Sequence, residues 1–236
     1  MPNWTYNKIK CKKELGDKIL DKKDGDYVLD FNKLIPMPES LKIPAGSIED
    51  KAIASYYFSL DKEGKRDMED KLSNAKLSFG GDYWRKYESD ILQYKVNPEK
   101  LIEEEKSFDG TVYDCEEKFA SLSELGKRYF DNIVNYGHAQ WYNWCTEIWG
   151  TKWNVESDIE VDYNVEDEEY TIEFNTAWSL PYGIVEKYSQ LCTDDEFNWE
   201  YEDEDSDGYH ILSKNSGKIL DHIVAEDEIE NEMSEM

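Results

Sequence analysis

Asp203, Asp205 and Asp207, followed by Gly208, reproduce the first half of a calcium-binding loop, in which alternate oxygens converge on a hard cation. The twelfth position of such a loop needs a bidentate carboxylate, and here it is Lys214, whose ammonium repels the ion. A solvated acidic turn is therefore expected, and no metal site. Upstream, Glu156, Asp158, Glu160 and Asp162 alternate with Val155, Ile159, Val161 and Tyr163, Ser157 being the one gap. In a strand all four acids fall on one face, ~6.7 Å apart along it. That is about twice the rise of one nucleotide along a duplex strand, a loose match to phosphate spacing. Such acids can block edge-to-edge pairing of sheets. They can equally engage a basic protein groove, by imitating nucleic acid or by complementing positive charge. Glu166, Asp167 and Glu168 carry the acidic run through the following turn, so all seven residues are candidates for partner binding.

Other chemistry finds less support. His138, His210 and His222 are the only histidines, and no HExxH, GxSxG, Walker loop or GxGxxG occurs. Two carboxylates suffice for glycoside hydrolysis, but among 54 acids no pair is marked out by its spacing. No catalytic residue and no cofactor is expected, which favours a non-enzymatic role. Cys11, Cys115, Cys145 and Cys192 lie far apart without a CxxC pair, so buried free thiols are expected instead of a zinc or redox site.

The net charge of −27 is unevenly placed: residues 155 to 207 hold 1 basic and 19 acidic residues, whereas 1 to 106 hold 20 and 21. A field of that sign repels nucleic acid and anionic membrane and draws in a basic protein. No run of ~18 apolar residues is present to span a bilayer, and MPNWTYNKIK lacks the apolar stretch of a signal peptide, so a cytoplasmic location is expected. The abundance of aromatic residues, 8 Trp, 17 Tyr and 8 Phe, argues for a folded chain.

These residues need elements to position them. Tyr6 to Lys12 alternates Ile9 and Cys11 with Lys8, Lys10 and Lys12, a half-buried strand. DKKDGD reads as a polar turn, and Pro36, Pro38 and Pro44 impose an extended connection. From about 45 to 150 the texture is helical, four to six helices, with Ser47, Asp82, Asn97 before Pro98, and Ser121 or Ser123 as starts, and Gly137 as a break. Residues 155 to 163 and 168 to 177 form a hairpin. A helix follows at about 180 to 192, with Ser179 as its cap and Pro181 in its first turn, and then a strand with Phe197, Trp199 and Tyr201 on one side. GYHILSK and KILDHIVA add two short strands. Without the helical stretch the order is βαββαβ, so the expected class is α+β, a ferredoxin-like antiparallel sheet with a large helical insertion. The core is expected at 1–44 and 130–220, the insertion at 45–129 packed on it, and an acidic, disordered tail at 225–236.

MPNWTYNKI, LDFNKLIPMPESL, WGTKWN at 149 to 154 and FNTAWSLP at 174 to 181 together resemble the YubB-type ferredoxin-like domain family, proteins of phages and conjugative plasmids. The resemblance implies kinship for roughly 1 to 44 and 130 to 202 and a mobile-element setting. It brings no catalytic residues. In that setting an inhibitor of a host defence or other nucleic-acid-handling protein is one expectation, and a phage accessory or scaffolding protein another. The shared motifs also suggest an alternative, an enzyme or small-ligand-binding protein using a candidate pocket of Asn175, Trp178, Trp149 and Trp153 at a strand-to-helix corner. Trp141, Trp144, Trp149 and Trp153 have a plainer role as core packing.

Overall fold

Alternation decides the first strand. β1 (Trp4–Lys12) buries Thr5, Asn7, Ile9 and Cys11 and turns Trp4, Tyr6, Lys8, Lys10 and Lys12 the other way. The computed structural model describes residues 3–77, 80–112, 115, 117–155, 159–204 and 208–224. After β1 come a single helical turn, α1 (Lys13–Gly16), then β2 (Leu20–Lys23) and β3 (Asp26–Leu29). The helices α2 (Ser47–Ser59), α3 (Lys62–Asn74), α4 (Tyr83–Val96), α5 (Pro98–Ser107), α6 (Leu122–Tyr136) and α7 (Trp141–Trp144) follow. A π-helical turn spans Cys145–Trp149, and the chain continues as β4 (Ile159–Asn164), β5 (Glu169–Ala177), α8 (Tyr182–Ser189), β6 (Trp199–Asp203), β7 (Tyr209–Asn215) and β8 (Lys218–Val224).

Two compact units result, Met1–Pro36 with Cys145–Met236, and Met37–Trp144. These boundaries differ from the expected 44/45 and 129/130, for a packing reason. Ile43 and the α6 residues Leu125, Tyr129 and Ile133 are buried in the helical core with Ala52 and Ile53. Tyr129 donates to the Pro44 carbonyl at 2.7 Å and Asn132 to the Ser40 carbonyl at 2.8 Å. Residues 225–236 lie outside the described ones.

In the first unit the described strands form an antiparallel sheet in the order β4-β5-β1-β6-β7-β8. Its first four strands have the 4-1-3-2 order of a ferredoxin-like sheet, and β7 and β8 extend it, so the fold is α+β as expected. A two-stranded hairpin, β2 with β3, was not expected. The DKKDGD segment does turn, at Asp24 and Gly25 with φ of 56° and 101°, the pair of positive angles a tight hairpin requires. Strands flank that turn on both sides.

Ile9, Ile172, Phe174 and Trp199 are all buried on one face of the large sheet, where Ile184 and Tyr188 of α8 pack; the Tyr188 and Trp199 rings lie 5.9 Å apart. Asn7 is buried among them but satisfied, donating to Thr176 Oγ1 at 3.0 Å and accepting from Trp199 Nε1 at 3.1 Å. Cys11, Cys145 and Cys192 are buried and Cys115 partly so, with no disulfide among the described residues; burial pushes the Cys11 thiol up to about 11.

In the helical unit, Asp61, Asp82 and Ser121 cap α3, α4 and α6 through the amides of Gly64, Arg85 and Glu124. Pro98 opens α5, though Asn97 makes no side-chain cap. Ser47 does not cap α2 as expected: Gly46 takes that position, and Ser47 is the first helical residue. No helix among the described residues is long and apolar enough to cross a membrane.

Candidate functional site

The second face of the large sheet carries the charge. Register places Glu160 opposite Glu173, Glu173 opposite Lys8, and Lys8 opposite Glu200, one row across β4, β5, β1 and β6. Residues directly opposite in antiparallel strands share a face with Cβ atoms ~5 Å apart. The row thus holds three carboxylates and one lysine, whose Nζ lies 3.2 Å from Glu173. The rows beyond repeat the theme: Asp162 faces Thr171, which faces Lys10, and Asn164 faces Glu169, whose carboxylate pairs with Lys12 at 2.8 Å. Glu202 stands opposite Tyr6 and is exposed.

Two tyrosines report the field. Tyr6 is pushed up to about 12, first by burial and then by Glu173, Glu200 and Glu160, each of which disfavours a phenolate beside it. Tyr209 donates to Glu200 at 2.6 Å and is raised in the same way, burial first. The acids around Tyr6 therefore act together. They attract cations by field and not by coordination: among the described residues no group of three or more His, Cys, Asp or Glu could hold a metal ion.

β4 is the outer strand of the sheet, so Glu160 and Asp162 are exposed along an edge. Glu166, Asp167 and Glu168 are exposed in the hairpin turn, where Asn164 organises the chain by accepting from the amide of Glu166 at 2.9 Å and donating to the Asp167 carboxylate at 2.8 Å. Glu156 and Asp158 lie outside the described residues. The acidic surface is also wider than one strand, since Glu173 and Glu200 belong to it.

The candidate pocket of four residues is not assembled. Trp149 is 2% exposed and serves the core, donating from its indole to the Ile35 carbonyl at 2.9 Å and packing edge-on against Phe31. Asn175 sits on the open face opposite Tyr6. Trp153 and Trp178 are linked through one cation, the Lys152 ammonium 4.4 and 4.5 Å from the two ring centres, and Trp4 leans edge-on against Trp153. Sequence reasoning missed Trp4 and Lys152, although Trp4 shares the parity of Tyr6 and Lys8, and Lys152 lies inside WGTKWN.

Local chemistry explains why WGTKWN and FNTAWSLP occur together. Thr151 donates to the Ala177 carbonyl at 2.8 Å, and Ser179 donates to the Gly150 carbonyl at 2.5 Å in place of capping α8, where Pro181 holds the cap position. Gly150 has φ of 86°, ending the π-turn; a Cβ there would come within 2.7 Å of the Tyr182 amide.

Two polar groupings were not foreseen. Asp221 accepts from Tyr201 at 3.0 Å and lies 3.0 Å from His210 Nδ1, while the Tyr201 and His210 rings stack 4.3 Å apart. Within the helical unit, Glu49 is buried and held by Lys86, by Tyr87 at 2.5 Å and by Gln140 at 3.4 Å. Burial and the adjacent Glu49 carboxylate push Tyr87 well above the ordinary phenol range. Lys214, the residue that spoils the calcium loop, donates to the carbonyls of Ser189 and Cys192, both at 2.8 Å, where α8 ends. Asp205 and Asp207 lie outside the described residues.

No protein-family model matches this chain, and no curated protein matches it. A comparison with solved structures finds a likeness to protein api92 from Yersinia pseudotuberculosis, described with the family model DUF1281, at 8% identity and a TM-score of 0.39, covering 95% of this chain and 99% of that one. It assigns no family. A likeness this loose carries no argument about function, and the site rests on its own geometry.

Proposed function

We propose that this chain is a non-enzymatic protein-binding protein whose open, acidic sheet face engages a basic surface on its partner. The observation that carries the reading is the row Glu160, Glu173, Lys8, Glu200, with three carboxylates to one ammonium. Surface pairs such as Lys8 with Glu173 stabilise a sheet by under about 1 kcal/mol, so pairing energy alone does not call for the surplus acids. Complementary charge does act on encounter rate and on the choice of partner. The YubB-type resemblance supplies the setting: a phage or mobile element, acting in the host cytoplasm. A partner there that handles nucleic acid would present a surface already suited to anions, and inhibiting it is the role this reading favours.

The test compares the native chain with a variant carrying Glu160→Gln, Asp162→Asn, Glu173→Gln and Glu200→Gln, each immobilised and exposed to host-cell extract over a salt series. Basic proteins should be retained by the native chain at low salt and lost by the variant. Retention of the same proteins by both, at every salt concentration, refutes the reading.

A further inference from the structure

Trp4 belongs to the open face by parity, and with it the face ends in an aromatic corner. Trp4 is 39% exposed and Trp178 44%, unusual for the largest apolar side chain, and Tyr182 beside them in sequence is 50% exposed. Trp178 also holds φ of 80°, a left-handed conformation that a bulky residue adopts only when its surroundings impose it. They do so here: its amide donates to the Asn3 carbonyl at 2.8 Å, which ties the strand-to-helix corner to the start of β1. The fold thus holds an indole outward in a strained backbone. Between that indole and Trp153 lies a cation, the Lys152 ammonium, 4.5 and 4.4 Å from the two ring centres.

Ring faces are electron-rich, and two of them flanking one cation attract it from both sides. Lysine is the weaker fit for such a slot. Its ammonium is compact and strongly hydrated, whereas a guanidinium is planar, less hydrated and stacks on aromatic faces. Lys152 is tethered one residue from Trp153, so it can swing out without disturbing the backbone bonds of Thr151. The adjoining face supplies the complementary charge, since Glu202 stands opposite Tyr6, one turn of the pleat from Trp4.

We infer that the Trp4, Trp153 and Trp178 corner is an arginine-recognition site, in which a guanidinium of the basic partner takes the place of the Lys152 ammonium between the two indoles. This rests on the proposed acidic face and adds an anchor to it. The acids draw the partner in, and the corner selects arginine over lysine.

The test uses the full chain with two blocked peptides of equal charge, tetra-arginine and tetra-lysine, and follows the indole N–H resonances during titration at low salt. Tetra-arginine should bind several-fold more tightly than tetra-lysine and should move the Trp153 and Trp178 resonances. Trp178→Gly removes the ring while suiting the left-handed backbone, so the fold survives; it should weaken tetra-arginine binding about fivefold, as expected of ~1 kcal/mol of cation–π attraction, and abolish the preference. Lys152→Met, which removes the internal competitor, should tighten binding. Equal binding of the two peptides, or equal tetra-arginine binding by native chain and both variants, overturns the arginine site while leaving the acidic face in place. Failure of the native chain to bind either peptide overturns both.

Discussion

Glu160 and Glu173 stand directly opposite one another on adjacent antiparallel strands, Glu160 exposed and Glu173 half-buried. Like charges in that relation destabilise a sheet. Glu173 is relieved by Lys8 at 3.2 Å, and Glu160, on the outer strand, has no lysine strand beside it. A sheet shaped by stability alone would have a neutral or basic residue at 160.

Glu160→Gln should therefore stabilise the chain by a few tenths of a kcal/mol up to about 1 kcal/mol, and the gain should shrink as salt screens the repulsion. Glu173→Gln should not, because it also removes the partner of Lys8. Urea denaturation of both variants at low and high ionic strength checks this; a destabilised Glu160→Gln would show that the acid is structurally needed.

Asp50 provides a pH signature in the helical unit. Burial raises its carboxyl to about 6, the neighbouring Glu49 charge adds to the rise, and Lys86 opposes it. Its folded value lies above its unfolded one of 3.8, so the folded state binds the proton more tightly. The charged form is strained when folded, and stability should rise as pH falls from above 6 towards 4. Asp50→Asn should be more stable than the native chain at pH 8 by about 1 kcal/mol, after allowing for a half-exposed group, and the two should converge near pH 4. Thermal melts across that range measure the difference; a constant offset would remove Asp50 as its cause.

Lys214 closes the end of α8 through the carbonyls of Ser189 and Cys192. Lys214→Met keeps the stem but strands the Cys192 carbonyl, while the Ser189 carbonyl keeps the Cys192 amide at 3.3 Å, and should cost about 1 to 3 kcal/mol in denaturant unfolding. Lys214→Arg, which retains the charge, should recover part of that. An unchanged midpoint for Lys214→Met would mean that water satisfies the carbonyls equally well.

Much of the sheet was legible because each of its first four strands shows its parity in sequence: Ile9 against Lys8 and Lys10, Ile172 and Phe174 against Glu173, Trp199 and Tyr201 against Glu200. Residues that keep one face buried also fix register, and with it the row of Glu173, Lys8 and Glu200. β2 and β3 escaped notice because LDKK and DYVL are four residues each, too short for a period to show. Trp149 and Trp153 looked like neighbours, but after the left-handed turn at Gly150 one indole is in the core and the other only half-buried. The polar groupings differ in kind. Glu49 shares a helical face with Ile53, four residues on, and its burial could have been read from that spacing. The meeting of Tyr201, His210 and Asp221 depends on the pairing of three strands, which no local pattern encodes.

The central claim is that the open face of the sheet meets a basic protein, and the most direct measurement is the association rate with a partner isolated on the native chain. The rate should fall as salt is raised from about 0.05 to 0.5 M, because exposed charges beyond ~8 Å are already screened near 0.15 M. The variant neutralised at Glu160, Asp162, Glu173 and Glu200 should associate at least tenfold more slowly at the low-salt end, lose most of the salt dependence, and remain folded. Equal rates for the two proteins across the whole series, with both confirmed as folded, would contradict the account.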